Sequence, residues 1–237
     1  MAPVTIISDD AKLAAQISCI FAHQGIYLPI LDGPRLQRQD ASAEIVRRNN
    51  AAARAGAKVI VLAGLPQQSI EAFKKKYPQY PWEVISNIAD LKALSSSSER
   101  VTNPLRWGRD RIGVGQLIAM RSGRSIVFED AQSPAYNVPS ESGHLVVCEQ
   151  GEELTEVIAA NYAYSLGAGL QLIPKVSKTI SREILEGFYN LIDSDSSPTD
   201  LLIDLKEKMR GLCGPLSLDG CSSVSFISAE IPFGFAF

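Results

Sequence analysis

The sequence predicts an α/β protein built on a mainly parallel sheet with helices on both faces. Short apolar, β-branched runs alternate with segments of helical periodicity, and the connections between them are short. The clearest unit runs from Gly143 to Val176. It holds an apolar run, His144 to Cys148, then a polar loop, a helical pattern and a second apolar run, Leu170 to Pro174. Strand, helix and strand in this order form the repeating unit of a parallel sheet.

The first 94 residues predict four strands separated by helices, an alternation of the flavodoxin-like kind. The apolar runs lie at 4–8, 26–31, 58–63 and 82–86, and helical patterns run to about residue 23, from 41 to 55 and from 69 to 77. Asp9 and Asp10 directly follow the first strand. Carboxylates in that place accept hydrogen bonds from the first turn of a helix, so we expect them to cap it.

The remainder predicts a second α/β lobe. The serine run Ser95 to Ser98 marks a candidate boundary between lobes 1–94 and 99–237, although one continuous sheet is also consistent with the pattern. Pro104 to Ser122 is predicted as a helix in which Gly113 and Gly115 permit close packing. Further strands are expected at 125–129, 144–148, 170–174 and 223–228, and further helices at 179–192 and 199–212.

Composition excludes several classes of protein. The chain of 237 residues is 46% hydrophobic with a net charge of −3, as in soluble globular proteins, and gives no reason to expect nucleic-acid binding. No apolar run reaches the roughly 18 residues that span a bilayer, and the N-terminus does not resemble a secretory signal. The four cysteines form no CxxC pair, so we predict no metal site and a cytoplasmic location. No cofactor is predicted either.

The loop after the strand that ends in Cys148 is the best-placed candidate for chemistry. In parallel sheets the carboxyl ends of the strands hold the sites, and a helix N-terminus lowers the pKa of a cysteine thiol. Glu149 and the acids that follow it raise that pKa. His144 is the candidate base, but four residues of extended chain separate it from Cys148 by roughly 13 Å. His23 is the other histidine of the chain.

The arginines between Arg100 and Arg124 form the one local basic cluster of the sequence, and within it Arg106, Arg109 and Arg111 cannot all share one helix face. Arginine binds phosphate or carboxylate through two parallel hydrogen bonds, so these residues, with Glu149, are the candidate ligand or partner site. A solvated surface that pairs with nearby acids explains the same residues without a ligand.

Residues 144–210 resemble the CHAT domains of the caspase-like cysteine peptidases. The resemblance lies in Cys148-Glu149-Gln150-Gly151, in the segment AANYAY at 159–164, in Gly167-Ala168 and in Phe188-Tyr189. It implies a caspase-like fold with Cys148 in the nucleophile position. The family carries its catalytic His-Gly at the end of the preceding strand, where this chain has Phe128-Glu129-Asp130. The resemblance therefore implies a fold of this kind without peptidase activity.

Three functions follow as hypotheses. The first is a non-catalytic recognition or regulatory module that acts with a protein partner or as one region of a longer chain. The second is a CHAT-type cysteine peptidase that uses Cys148 with His144 or His23. The third is a protein that binds a small anionic ligand, such as a nucleotide, through Arg106, Arg109 or Arg111.

Overall fold

The computed structural model describes residues 4–8, 10–22, 26–27, 59–76, 78–79, 82–87, 89–90, 103–175 and 220–227, with a few single positions between 179 and 207. Asp9, His23, the serine run and the predicted helix at 41–55 lie outside the described residues. No helix among the described residues is long and apolar enough to cross a membrane.

The N-terminal half forms a four-stranded parallel sheet. Its elements are β1 (Val4–Ser8), α1 (Ala11–Phe21), β2 (Ile26–Tyr27), β3 (Val59–Ala63), α2 (Gln67–Lys76) and β4 (Trp82–Ile85). The strand order is β2-β1-β3-β4, and all three pairings are parallel. Asp10 caps α1, since its Oδ1 accepts the Leu13 N–H at 3.0 Å. The predicted capping role is confirmed for Asp10.

The C-terminal half contains two further parallel sheets. Its elements are β5 (Leu105–Gly108), a 3-10 turn (Arg109–Arg111), α3 (Ile112–Arg121), β6 (Ile126–Glu129), β7 (His144–Glu149), α4 (Glu153–Leu166), β8 (Gly169–Ile173) and β9 (Ser223–Ile227). β5 pairs with β6, and β7 lies between β8 and β9. The predicted α/β class with parallel strands is confirmed, with the described strands divided among three small sheets.

Helix α1 is the element that both halves share. Leu13, Ile17 and Ile20 pack with β1, β3 and β4 in the core of the first sheet. The opposite side of α1 carries small residues, Ala11, Ala14, Ala15, Cys19 and Ala22, which pack against α3, α4 and β6. Small side chains allow helices to approach closely, so α1 is buried on both sides. Helix α1 therefore lies between two core clusters, one with the first sheet and one with the C-terminal helices.

The prediction of one helix over Pro104–Ser122 is wrong at its N-terminal end. Residues 105–108 form strand β5, which pairs with β6 from Leu105↔Ile126 to Gly108↔Glu129. Gly108 ends the strand in a place with no room for a side chain, because a Cβ there would lie 2.1 Å from the Ala131 carbonyl oxygen. The helix begins only at Ile112.

The predicted close packing at Gly113 and Gly115 is confirmed. A Cβ on Gly113 would lie 2.6 Å from the carbonyl oxygen of Glu156 in α4, and one on Gly115 would lie 2.3 Å from the Trp107 ring. Any larger residue forces these neighbours apart. The two glycines thus let α3 pack directly on the backbone of α4 and on the indole of Trp107.

Candidate functional site

A cleft of about 510 Å³ opens at the carboxyl ends of the parallel strands. The lining residues all lie in segments that directly follow a strand, either in the loop or at the start of the next helix. They are Asp10 and Ala11 after β1, Gly64 after β3, Arg109 after β5, and Glu152, Glu153 and Leu154 after β7. Ligands of open α/β sheets bind outside the carboxyl ends of the strands. The cleft therefore has the location that the sequence predicts for a site, and it brings residues of both halves together.

The cleft lining is predominantly acidic and contains two ion pairs. Arg109 donates from Nε to Glu153 Oε1 at 3.1 Å and from Nη2 to Glu153 Oε2 at 2.8 Å, a bidentate pair. Glu152 pairs with Lys175. The hydrogen bonds and the charge of Glu153 raise the pKa of the Arg109 guanidinium further. Asp10 adds a third carboxylate, so three acids and one arginine face the opening.

The three predicted arginines do not form one cluster. Arg106 lies on β5 and pairs with Glu129 at 2.5 Å, on a surface away from the cleft lining. Arg111 donates from Nη2 to the Tyr136 carbonyl oxygen at 3.1 Å and to Asn137 Oδ1 at 3.2 Å, which anchors the segment after β6. Of these arginines only Arg109 lines the cleft.

Cys148 is a core residue in the central strand of the C-terminal sheet. It is 1% exposed and packs with Val146, Leu170 and Leu172. The pKa of the thiol is raised well above its ordinary value of 9.0. Burial is the largest cause, and the negative charges of Glu156 and Glu149 add to it. A thiol in this state is a poor nucleophile, because the thiolate is the reactive form.

His144 lies at the opposite end of β7 from Cys148. The register pairs His144 with Ser223 and Cys148 with Ile227, so the two residues are roughly 13 Å apart along the strand. Both ring nitrogens of His144 have partners, with Nδ1 at 2.5 Å from Ser223 Oγ and Nε2 at 2.9 Å from Ser225 Oγ. The structure does not bring His144 to the thiol.

A buried carboxyl, Glu156, lies behind the cleft lining and bonds to the segments that carry it. Glu156 lies in the first turn of α4 and is 1% exposed. Its Oε1 accepts the Gly151 N–H at 2.9 Å and its Oε2 accepts the Gly113 N–H at 3.1 Å. Burial raises the pKa of Glu156 to about 7, although both N–H groups and Arg111 act in the opposite direction. Glu149, at the end of β7, is also buried, at 3% exposure.

Sequence reasoning missed Glu156, although the sequence contains a signal for it. Ala160 and Ala163 follow at spacings of four and seven residues, so helical periodicity places Glu156 on the buried stripe of α4. A carboxylate on such a stripe needs hydrogen-bond donors. Here the donors are backbone N–H groups, which no side-chain motif announces.

No group of three His, Cys, Asp or Glu side chains able to hold a metal ion occurs within the described part of the chain. In comparisons with known proteins, no family model, no curated protein and no solved structure matches this chain.

Proposed function

We propose that this chain is a non-catalytic recognition module that binds a protein partner, or a further domain of the same polypeptide, in the cleft at the carboxyl ends of its strands. The observation that carries the proposal is the cleft itself, a concave and polar surface of about 510 Å³ to which the segments after β1, β3, β5 and β7 contribute. We place this module in the cytoplasm, because Cys148 and Cys221 form no disulfide, which suits a reducing environment.

The charge of the lining favours a partner that presents basic groups. Among the described lining residues, Asp10, Glu152 and Glu153 are acidic and Arg109 is basic; Arg109 pairs with Glu153, and Glu152 pairs with Lys175. Complementary charge increases the association rate and the specificity of protein pairs. An anionic ligand such as a nucleotide would have to displace Glu153 from Arg109 and would meet two further carboxylates, so the anion-binding alternative is the weaker one.

Peptidase chemistry has little support from the geometry around Cys148. The thiol is buried, its pKa is raised, and His144 is at the far end of the strand. We expect no turnover of peptide substrates by the purified protein. Turnover that disappears on Cys148→Ala would overturn the non-catalytic proposal in favour of the CHAT-type alternative.

Two matched charge reversals test the recognition proposal. Glu152→Lys reverses an exposed carboxylate that lines the cleft, and Glu129→Lys reverses an exposed carboxylate that does not; each has one basic partner, Lys175 or Arg106. Proteins captured by the tagged full-length chain are quantified for the wild type and both variants. We expect the partner to be lost with Glu152→Lys and kept with Glu129→Lys. Equal recovery with both variants would contradict binding in the cleft.

The anion-binding alternative has a matched pair of its own. Arg109→Glu reverses the arginine among the described lining residues of the cleft, and Arg106→Glu reverses one outside that lining. Nucleotide binding, measured by calorimetry, that is lost with Arg109→Glu and kept with Arg106→Glu would establish the anionic ligand instead of the basic partner.

A further inference from the structure

The carboxylate of Glu156 connects two segments that line the cleft. Gly151, which donates to Oε1, directly precedes the wall residues Glu152 and Glu153. Gly113, which donates to Oε2, follows the 3-10 turn that carries Arg109. The carboxylate therefore holds the loop after β7 and the start of α3 in one fixed arrangement.

We propose that Glu156 is a proton-operated latch on the cleft: the ionised carboxylate holds both segments, and protonation releases one of them. The inference rests on the proposed function, because it describes the regulation of that same cleft. Both partners of Glu156 are N–H donors, and an ionised carboxylate accepts through both oxygens. A protonated carboxyl turns one oxygen into an O–H donor that faces an N–H group. The hydroxyl oxygen is a much weaker acceptor than a carboxylate oxygen, so one of the two hydrogen bonds is weakened and its segment can be released.

The surroundings of Glu156 place this proton exchange near neutral pH. The titratable and charged groups around it are Cys148 and Glu149 at the end of β7, Arg111 in the turn before α3, and Glu153 in α4 itself. Burial, together with Glu153, favours the protonated form, whereas Arg111 and the two backbone N–H groups favour the ionised form. Burial outweighs the groups that favour the ionised form and raises the pKa of Glu156 to about 7, so the latch changes state near neutral pH.

Glu156 is placed so that a change in its hydrogen bonds can shift α3 relative to α4. The two helices approach closely at this residue, where a Cβ on Gly113 would be 2.6 Å from the Glu156 carbonyl oxygen. The loss of the Gly113 or Gly151 hydrogen bond acts directly on this contact. Arg109 and Glu153 belong to the same two segments, so their ion pair reports on the state of the latch.

The test is an NMR titration of the ligand-free protein between about pH 5.5 and pH 8.5. Three resonances are followed: the backbone amides of Gly113 and Gly151 and the side-chain Nε–H of Arg109. In the wild type we expect all three to shift with one common midpoint near neutrality, and the protection of one glycine amide from exchange to fall on the order of tenfold on the acid side. In Glu156→Gln these shifts disappear at every pH.

Glu141→Gln is the matched control, because Glu141 is an exposed carboxylate that pairs with Arg121 outside the cleft; it keeps the wild-type titration. A wild type whose glycine amides do not titrate near neutrality would overturn the latch, whether or not Glu156→Gln folds. If the glycine amides titrate while the Arg109 Nε–H resonance stays constant, protonation of Glu156 does not affect the cleft, and the coupling of the latch to the cleft is overturned. Since no partner is present, failure of the latch is distinguishable from failure of the recognition proposal, which the Glu152→Lys experiment decides.

Discussion

Cys148 is shielded from reagents by the strands on both sides of it. Its Sγ donates to the Glu149 carbonyl oxygen at 3.4 Å, and the thiol has no exposed path. We predict that iodoacetamide alkylates Cys148 on the order of 100-fold more slowly than the half-buried Cys221 in the native protein, because alkylation requires an exposed thiolate. Mass spectrometry of a time course measures both rates. Equal rates would show that the loop after β7 opens readily and would restore Cys148 as a candidate nucleophile.

Glu156 makes stability depend on pH in a direction opposite to that of most carboxyls. Its pKa rises from an ordinary 4.5 to about 7 on folding, so between these values the folded state holds a proton that the unfolded state has lost. The free energy of unfolding therefore falls as the pH rises through this window, by up to about 3 kcal/mol, and is level above it. Urea unfolding at a series of pH values measures the slope.

Two variants separate this contribution from the remaining titratable groups. We expect Glu156→Gln to lose the downward slope, since a neutral amide binds no proton in this range. Glu141→Gln, which alters an exposed carboxylate, keeps the slope. A wild-type stability that rises steadily over the same window would be incompatible with a protonated Glu156 in the folded state.

At the residue scale, the sequence predicts the local role of a residue better than it predicts the burial of its side chain. Asp10 as a helix cap and the two glycines as packing positions follow from local pattern, and the structure confirms them. The solvent exclusion of Cys148 depends in part on Ile227 of β9, 79 positions away, and Glu156 is bonded to Gly113, 43 positions away. No local pattern encodes that pairing.

The contact between α3 and α4 predicts a change in stability for Gly113→Ala that is opposite in sign to the usual one. Within a helix Gly→Ala normally stabilises a protein by about 1 kcal/mol. At Gly113 we expect the reverse, a loss of about 1–3 kcal/mol, because the new Cβ would meet the Glu156 carbonyl oxygen at 2.6 Å. Thermal or urea unfolding of Gly113→Ala measures the change. A stabilised variant would mean that α3 can shift away from α4 at little cost.

The element that sequence periodicity misassigned is β5. Leu105 and Trp107 are apolar at a spacing of two, but they merge with the helical pattern that begins at Ile112. Two residues of alternation cannot be distinguished from a helical stripe, and the partner strand β6 begins 21 residues later at Ile126. The arginines therefore lie on a strand and a 3-10 turn, which separates Arg106 from Arg109.

At the scale of the whole molecule, we expect that the part of the chain before the serine run does not fold independently of the part after it, because α1 packs against both. Its alanine side packs on α3, α4 and β6, all of which lie beyond residue 99. We predict that fragment 1–94 shows no cooperative thermal transition by circular dichroism, because that side would face water. As a control, full-length protein cut by a protease site inserted at 95–98 stays associated in gel filtration. A cooperatively folded 1–94 fragment would contradict this prediction.

The architecture was largely predictable because parallel strands are continuous apolar runs with clear ends. Strands β1, β3, β4, β6, β7, β8 and β9 lie within a residue or two of the predicted runs. Their division among three sheets was not predictable, because strand order depends on which helices pack between the strands. The location of the cleft at the carboxyl ends of the strands was predictable from the parallel arrangement. The residues that line it depend on the strand order, so they were not predictable.

The double burial of α1 has a consequence for the time course of synthesis on the ribosome. Gln16 hydrogen-bonds to the Ile126 carbonyl oxygen, and Ser18 to Asn161, contacts that span 110 and 143 residues of chain. The chain must therefore be synthesised at least as far as Ile126, 110 residues beyond Gln16, before these contacts on the second face of α1 begin to form. During that interval a nascent chain exposes an apolar, alanine-rich surface, the kind of segment to which chaperones bind.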